Sequence, residues 1–264
     1  MTSGPKVYFI GAGPGDPELL TLKGKRIIEQ ADVIIYADSL VDQHICDFAS
    51  QDAEIRGSSS LTLEQITALM VGAVRAGKTV ARVHTGDPSL FGALGEQMAV
   101  LDTNGIPYEV VPGVSSIFAA SAALGVELTV PEVSQTVIIT RLEGRTPVPA
   151  KEALSRLAEH QATLVLFLSV GMVDAVVERL LAGGYAKSTP VAVVQRASWE
   201  DQRIVRGTLD DIAGKVRAAG IKSQALILVG DALALRHEAT PGDPRSRLYD
   251  GSFGHQYRKA NDGG

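Results

Sequence analysis

The sequence predicts an α/β protein built as two α/β domains. Three observations carry that prediction. Short β-branched runs alternate along the chain with stretches of helical periodicity, the pattern of strands and helices packed in layers. Most of the runs are continuously apolar, as in strands covered on both faces. A break around Val126–Gln135, centred on Pro131, separates one such series from the next. The expected domains are 1–130 and 131–238, followed by an arm at 239–264.

In the first half, Val7–Gly11, Val33–Tyr36, Thr79–Val83 and Tyr108–Val111 read as strands. In the second, Thr136–Thr140, Thr163–Leu168, Val191–Val194, Arg203–Val205 and Ala225–Val229 do. Asp16 reads as a helix N-cap with Pro17 at the first helical position, opening a helix over Glu18–Gln30. Thr62 and Gln65 form a capping box, and Ile66, Leu69, Met70, Ala73 and Val74 lie on one apolar stripe that Gly77 stops. Phe118–Leu124 reads as a helix of small residues. Val173, Val176, Val177, Leu180 and Leu181 repeat the helical spacing and end at Gly183-Gly184. The tail from Ala239 is rich in glycine, proline and charge, which predicts an extended arm with a disordered end.

Of the 264 residues 45% are hydrophobic and 21% charged, enough to bury a core. The net charge of −5 argues against nucleic acid as a partner. No apolar run is long enough for a membrane span, and the N-terminus lacks the features of a signal peptide. A cytoplasmic location is expected. Cys46 is the only cysteine, which excludes an intramolecular disulfide and predicts a small buried or half-buried thiol. His44, His84, His160, His237 and His255 lack metal-ligand spacing, so no protein-bound metal is expected.

Three turns follow strands. The first, in FIGAGPGDPELLTLKG, spaces its glycines G-x-G-x-G, and Asp16 stands where a dinucleotide fingerprint needs its third glycine. Pro14 removes an N–H from that turn, and Asp16 puts a carboxylate where a pyrophosphate would lie. The second is HTGDPSLFG, with Asp87 either a helix N-cap or a carboxylate held near a ligand. The third, VVPGVSSIFAASAALG, runs into a small-residue helix that lets its N-terminus approach a ligand or a neighbouring element. If these strands are parallel neighbours the three turns converge. None carries a phosphate-cradling lysine, so the ligand implied is a nucleoside-like molecule without phosphates.

GAGPGDPELLTLKG, TGDPSLFG and PGVSSIFAA, with LFLS at Leu166–Ser169 and VAVVQRASWEDQRIVRG at Val191–Gly207, resemble in order and spacing the tetrapyrrole methylases. YADSLV at Tyr36–Val41 and SRLYDGSFGH at Ser246–His255 resemble the branch acting on carbon 11 of precorrin-4 or cobalt-precorrin-4, in corrin-ring biosynthesis. The resemblance implies S-adenosylmethionine as cofactor, S-adenosylhomocysteine as product, a tetrapyrrole substrate, a homodimer, and an active site between the two domains. Carried over by position, it puts Pro14, Gly86, Asp87, Leu90, Ser115, Ser116, Ile117, Phe167, Leu168, Ala197 and Ala225 beside the cofactor. Sister uroporphyrinogen methylases carry an aspartate directly after the tyrosine matching Tyr36. Here Ala37 stands there and Asp38 follows, leaving Asp38 a candidate for catalysis or substrate contact.

The implied substrate carries many carboxylates, which arginine forks suit. Arg141, Arg145 and Arg196, with Arg203, lie near expected strand ends and are candidate substrate contacts. Another precorrin or uroporphyrinogen methylase, an NAD(P)-dependent oxidoreductase and a non-catalytic binding module are the alternatives.

Overall fold

The computed structural model describes residues 4–234, 252–254 and 256–259. Most of the expected arm, and most of the Ser246–His255 stretch including His255, lie outside the described residues. The chain divides into two compact units. One runs up to Ala123 and includes Val194–Arg203; the other holds Leu124–Val193 and the chain from Ile204.

The first unit is a parallel sheet with helices on both faces. Its strands are β1 (Val7–Gly11), β2 (Val33–Tyr36), β3 (Glu54–Gly57), β4 (Val80–His84) and β5 (Tyr108–Val111), in the order β3-β2-β4-β1-β5. All four pairings are parallel, with Val7 opposite both Val80 and Tyr108. Successive strand residues point to opposite faces, so each apolar run feeds two cores. Ile10, Ile34, Ala81 and Val83 pack with Ile27 and Ile28 of helix α1 (Leu22–Gln30). Val7, Phe9, Val33 and Ile35 pack with Ile66 and Met70 of α2 (Leu63–Arg75) and Leu101 of α3 (Leu94–Thr103). Helix α4 (Ser116–Leu124) follows β5.

The second unit has β6 (Val137–Arg141), β7 (Thr163–Phe167), β8 (Pro190–Gln195), β9 (Arg203–Thr208) and β10 (Ala225–Val229), in the order β6-β7-β10-β8-β9. β6 and β7 run parallel, whereas β10 and β7 run antiparallel. Its helices are α5 (Leu154–Ala158), α6 (Val173–Ala182) and α7 (Ile212–Ala218). Leu154, Leu164, Leu166, Val176, Leu180, Ile212 and Ile227 meet in one core. The expected stripe Val173, Val176 and Leu180 is its buried face.

Two local expectations change. The helix expected over Glu18–Gln30 is split into a 3₁₀ turn at Pro17–Leu19 and α1. Leu20 is extended and Thr21 starts afresh, its hydroxyl accepting from Gly24 N at 3.1 Å. Asp16 caps the first turn as expected, accepting from Glu18 N at 2.8 Å. The strand β3 lacks an expected counterpart because it is a sheet edge whose residues Ile55, Arg56 and Gly57 are exposed. An edge strand of that composition carries no apolar run to read.

Candidate active site

The order β4-β1-β5 makes the three strands that carry the special turns adjacent and parallel. Ligands of open α/β sheets sit beyond the carboxyl ends of such strands. Here those ends are drawn together by glycine. A Cβ on Gly11 would lie 2.5 Å from Gly86 O and 2.6 Å from Gly113 Cα. One on Gly113 would lie 2.1 Å from Gly86 O. Only hydrogen at these positions lets three backbones approach so closely.

Gly13 and Gly86 then exchange hydrogen bonds, Gly86 N to Gly13 O at 2.8 Å and Gly13 N to Gly86 O at 3.3 Å. Both have positive φ, +81° and +59°. Pro14 is buried beside them. Ser115 Cα and Ser116 N lie 3.7 Å from the point where a Gly86 Cβ would stand. Ser115 is buried and turns the chain into α4, its carbonyl accepting from Phe118 N at 3.0 Å. Ile117 is buried under the first turn. Pro14, Gly86, Asp87, Ser115, Ser116 and Ile117 are thus one cluster.

Asp87 joins two of the turns. Its carboxylate accepts from Gly113 N and from Ser89 N, both at 2.9 Å, and from the Ser89 hydroxyl. Burial opposes its ionisation, but those hydrogen bonds prevail and hold the carboxyl below its ordinary value. Leu90, half-buried, closes the turn by donating its N–H to Asp87 O at 3.2 Å.

Ala197 belongs to the same unit and is buried after β8. Its neighbour Arg196 has φ of +48°, lies 2.7 Å from Asp201 Oδ1 through Nε, and stacks 4.0 Å over the Trp199 ring. Asp38, at the tip of β2, is exposed, and its carboxylate accepts from Ser59 N and Ser59 Oγ, both at 2.7 Å. The Ser59 hydroxyl bond leads in lowering its pKa. Asp38 is therefore an ionised strut of the loop after β3, with no proton to give near neutral pH.

Two buried titratable groups under the cluster were not legible as such. Arg82 is 5% exposed, bound to Gln97 Oε1 at 3.1 Å, Ser58 Oγ at 3.0 Å and Ile35 O at 3.3 Å. Burial brings its pKa down to about 10. His84, equally buried, packs against Phe9, and its Nε2 has no hydrogen-bond partner among the described residues. Burial, with the Arg82 charge, takes its pKa down to about 3, so the ring is neutral.

The other candidates form a second cluster within the second unit. Arg141 lies opposite Phe167 in the β6–β7 register. In the antiparallel β10–β7 register Ile227 lies opposite Leu166, and Ala225 is the first residue of β10. Leu168 has φ of +53° and is 67% exposed, an apolar side chain held out at a strand tip. Buried Ser169 fixes that tip, donating to Phe167 O at 2.7 Å and accepting from Leu142 N at 2.8 Å. Arg141 binds its own loop, donating to Pro147 O at 2.7 Å and Thr146 O at 3.2 Å. Arg145 is exposed on a cavity of about 430 Å³ that Glu143, Pro147 and Ala153 also line.

Sequence reasoning passed over Ser198 and Trp199. Asp16 N donates to Ser198 Oγ at 3.0 Å, and Trp199 Nε1 donates to Pro14 O at 2.9 Å. The available signal was that Trp199 is the sole tryptophan, in a turn directly after a strand.

Residues 6–213 match the family of Tetrapyrrole (Corrin/Porphyrin) Methylases, and the chain belongs to that family. Among curated relatives, the cobalt-precorrin-4 C(11)-methyltransferase of Methanocaldococcus jannaschii is 56% identical over 99% of both chains. The precorrin-4 C(11)-methyltransferase of Pseudomonas aeruginosa is 52% identical over 96% of this chain and 98% of its own. The crystal structure of a cobalt precorrin-4 methyltransferase superposes with a TM-score of 0.85 at 49% identity, covering 86% of this chain and 95% of its own. A uroporphyrin-III C-methyltransferase from Thermus thermophilus, complexed with S-adenyl homocysteine, superposes with a TM-score of 0.72 at 31% identity, covering 88% and 100%. The opening turn is therefore that of a methylase and not of a dinucleotide-dependent oxidoreductase.

Proposed function

We propose that this chain transfers a methyl group from S-adenosylmethionine to carbon 11 of precorrin-4 or its cobalt form. The observation that carries the reading is the meeting of the β4, β1 and β5 tips at Gly86, Gly13 and Ser115–Ser116, in a chain whose nearly full-length relatives carry the names of C(11)-methyltransferases.

The donor set fits the cofactor. Residues 13–16, 86–90 and 115–117, with Ala197, offer backbone groups, serine hydroxyls and small side chains, and no lysine or arginine. That suits a phosphate-free nucleoside and would serve a pyrophosphate poorly. Asp87, kept ionised, holds the β4 and β5 turns at fixed separation. Leu90 and Ile117 supply apolar surface. In the second unit, Phe167, Leu168 and Ala225 are cofactor candidates by resemblance, and Leu168 presents an exposed apolar side chain. When bound, the sulfonium supplies a methyl carbon that is already electrophilic.

What remains for the chain is positioning. An in-line displacement needs nucleophile and methyl aligned at about 3–3.5 Å, and such alignment contributes several kcal/mol of the rate enhancement. The glycine-packed turns have little freedom to move, so the cofactor seat is preorganised. Arg145, whose guanidinium has no ion pair or hydrogen bond among the described residues, is the first choice for a substrate carboxylate. Arg141 acts in the same region by shaping the 142–147 loop, and Arg196 through the turn it anchors. A cytoplasmic homodimer belongs to this reading, and light scattering on the purified protein tests the dimer.

Calorimetric titration tests the cofactor reading. S-adenosylhomocysteine should bind, and NADH should give no saturable heat. The reverse result would remove the reading.

A further inference from the structure

We propose that Trp199 and Ser198 are positioning residues that clamp the Gly13–Asp16 loop in its ligand-taking form. The proposal rests on the reading of that loop as part of the cofactor seat.

The loop has few fastenings of its own. Gly13 is tied to Gly86 on one side, and Asp16 begins a short 3₁₀ turn on the other. Between them Pro14 has no N–H to give. Two further polar groups of the stretch are taken by one distant segment. The Pro14 carbonyl accepts from the Trp199 indole at 2.9 Å, and the Asp16 N–H donates to Ser198 Oγ at 3.0 Å. Gly15 lies against the indole itself, since a Cβ there would stand 2.2 Å from Trp199 Cδ1 and 2.3 Å from Nε1. Its φ is not positive. Glycine is thus required at that position for space and not for backbone conformation.

The clamping segment is braced for the task. Arg196 and Ser198 both have left-handed backbone, at φ of +48° and +70°, which non-glycine residues hold only where their surroundings compel it. Trp199 N donates to Arg196 O at 3.0 Å, Ser198 N to Gln202 Oε1 at 2.8 Å, and Gln202 N to Trp199 O at 3.1 Å. The Arg196 guanidinium covers the outer face of the indole at 4.0 Å and is ion-paired with Asp201. Strain, stacking and an ion pair converge on holding one ring in one place, and that ring's only polar atom points at the Pro14 carbonyl. A tryptophan needed only as filler would not require its N–H aimed at the loop.

The test uses S-adenosylhomocysteine as probe, with calorimetric Kd, and steady-state kinetics with S-adenosylmethionine. Trp199→Phe keeps a ring on Gly15 and under Arg196 but removes the donor. It should raise Kd and the cofactor KM about tenfold, the loss expected for one neutral hydrogen bond, while kcat stays within about twofold. Ser198→Ala should act in the same direction. Gly15→Ala should weaken binding in the wild-type background and have no further effect in Trp199→Ala, where the added methyl has room. If Trp199→Phe does not fold, Ser198→Ala and Gly15→Ala carry the test. Unchanged Kd and KM in variants that fold would overturn the clamp alone. Wild-type protein that binds no S-adenosylhomocysteine would overturn the clamp together with the cofactor reading.

Discussion

Gly113 shows how much of the site depends on a missing side chain. A methyl group there would meet backbone on both sides, 2.1 Å from Gly86 O and 2.7 Å from Gly11 Cα. Backbone cannot rotate away as a side-chain tip can, so the strand tips must separate. Gly113→Ala should therefore cost at least tenfold in cofactor affinity, read by calorimetry, and lower thermal stability by roughly 1–3 kcal/mol. Wild-type affinity in this variant would mean that the close approach does not shape the seat. His84 makes a different prediction. Its folded pKa of about 3 lies below the ordinary value of 6.5. Between those values the unfolded chain takes up a proton that the native state refuses. The stability this confers is whole above pH 6.5 and is lost as pH falls towards 3, with a slope approaching 1.4 kcal/mol per pH unit. His84→Leu should flatten the acid side of a denaturation-versus-pH curve by up to one proton. An unchanged slope would show that the imidazole is not held neutral. Neither effect could be read in the chain, because both depend on what packs around the residue.

At the level of elements, the strands of the first unit were legible because a strand buried on two faces leaves a continuous apolar run, as VYFIG and VIIY do. The capping box at Thr62 was equally plain, and both of its hydrogen bonds form, Thr62 N to Gln65 Oε1 at 2.9 Å and Gln65 N to Thr62 Oγ1 at 3.4 Å. The exposed edge strand Glu54–Gly57 left no such mark. The break at Leu20–Thr21 was hidden because one apolar pattern runs across two separate caps. Pairing between strands also lies beyond local pattern. Glu109 on β5 is bound to Lys6 before β1 and to Lys23 in α1. Its hydrogen bonds from Lys23 and Lys6 take its pKa down to about 2. The stabilisation is present above the ordinary value of 4.5 and is lost as pH falls towards 2. Glu109 is partly exposed, so solvent screening limits the gain to about 1 kcal/mol. Glu109→Gln should lose that much at pH 7 in chemical denaturation, with the gap to wild type closing below pH 4.5. A constant gap would assign the loss to packing.

For the whole molecule, the motif blocks were readable because each is a strand end followed by a turn with a strict steric demand. Glycine at Gly86, glycine at Gly13 and serine at Ser115 are written into the sequence by positive φ, by contact and by the helix start. The residues that brace these turns were not readable. Trp199 is 185 positions from Pro14 along the chain, and only the fold brings the two together. The same holds for Arg141 and Phe167, which the parallel β6–β7 register sets side by side in the second unit. That Arg141 and Arg196 already have partners within the chain was likewise invisible in composition, and it shifts the expected carboxylate contact towards Arg145. The most direct measurement is carbon-13 NMR of the products formed when methyl-labelled S-adenosylmethionine is supplied with precorrin-4 and, separately, with cobalt-precorrin-4. One labelled methyl should appear on carbon 11 in a product heavier by one labelled CH₂, with no transfer when S-adenosylhomocysteine is in excess. Label at another ring carbon, or no transfer to either macrocycle by folded protein that binds the cofactor, would rule out C-11 methylation.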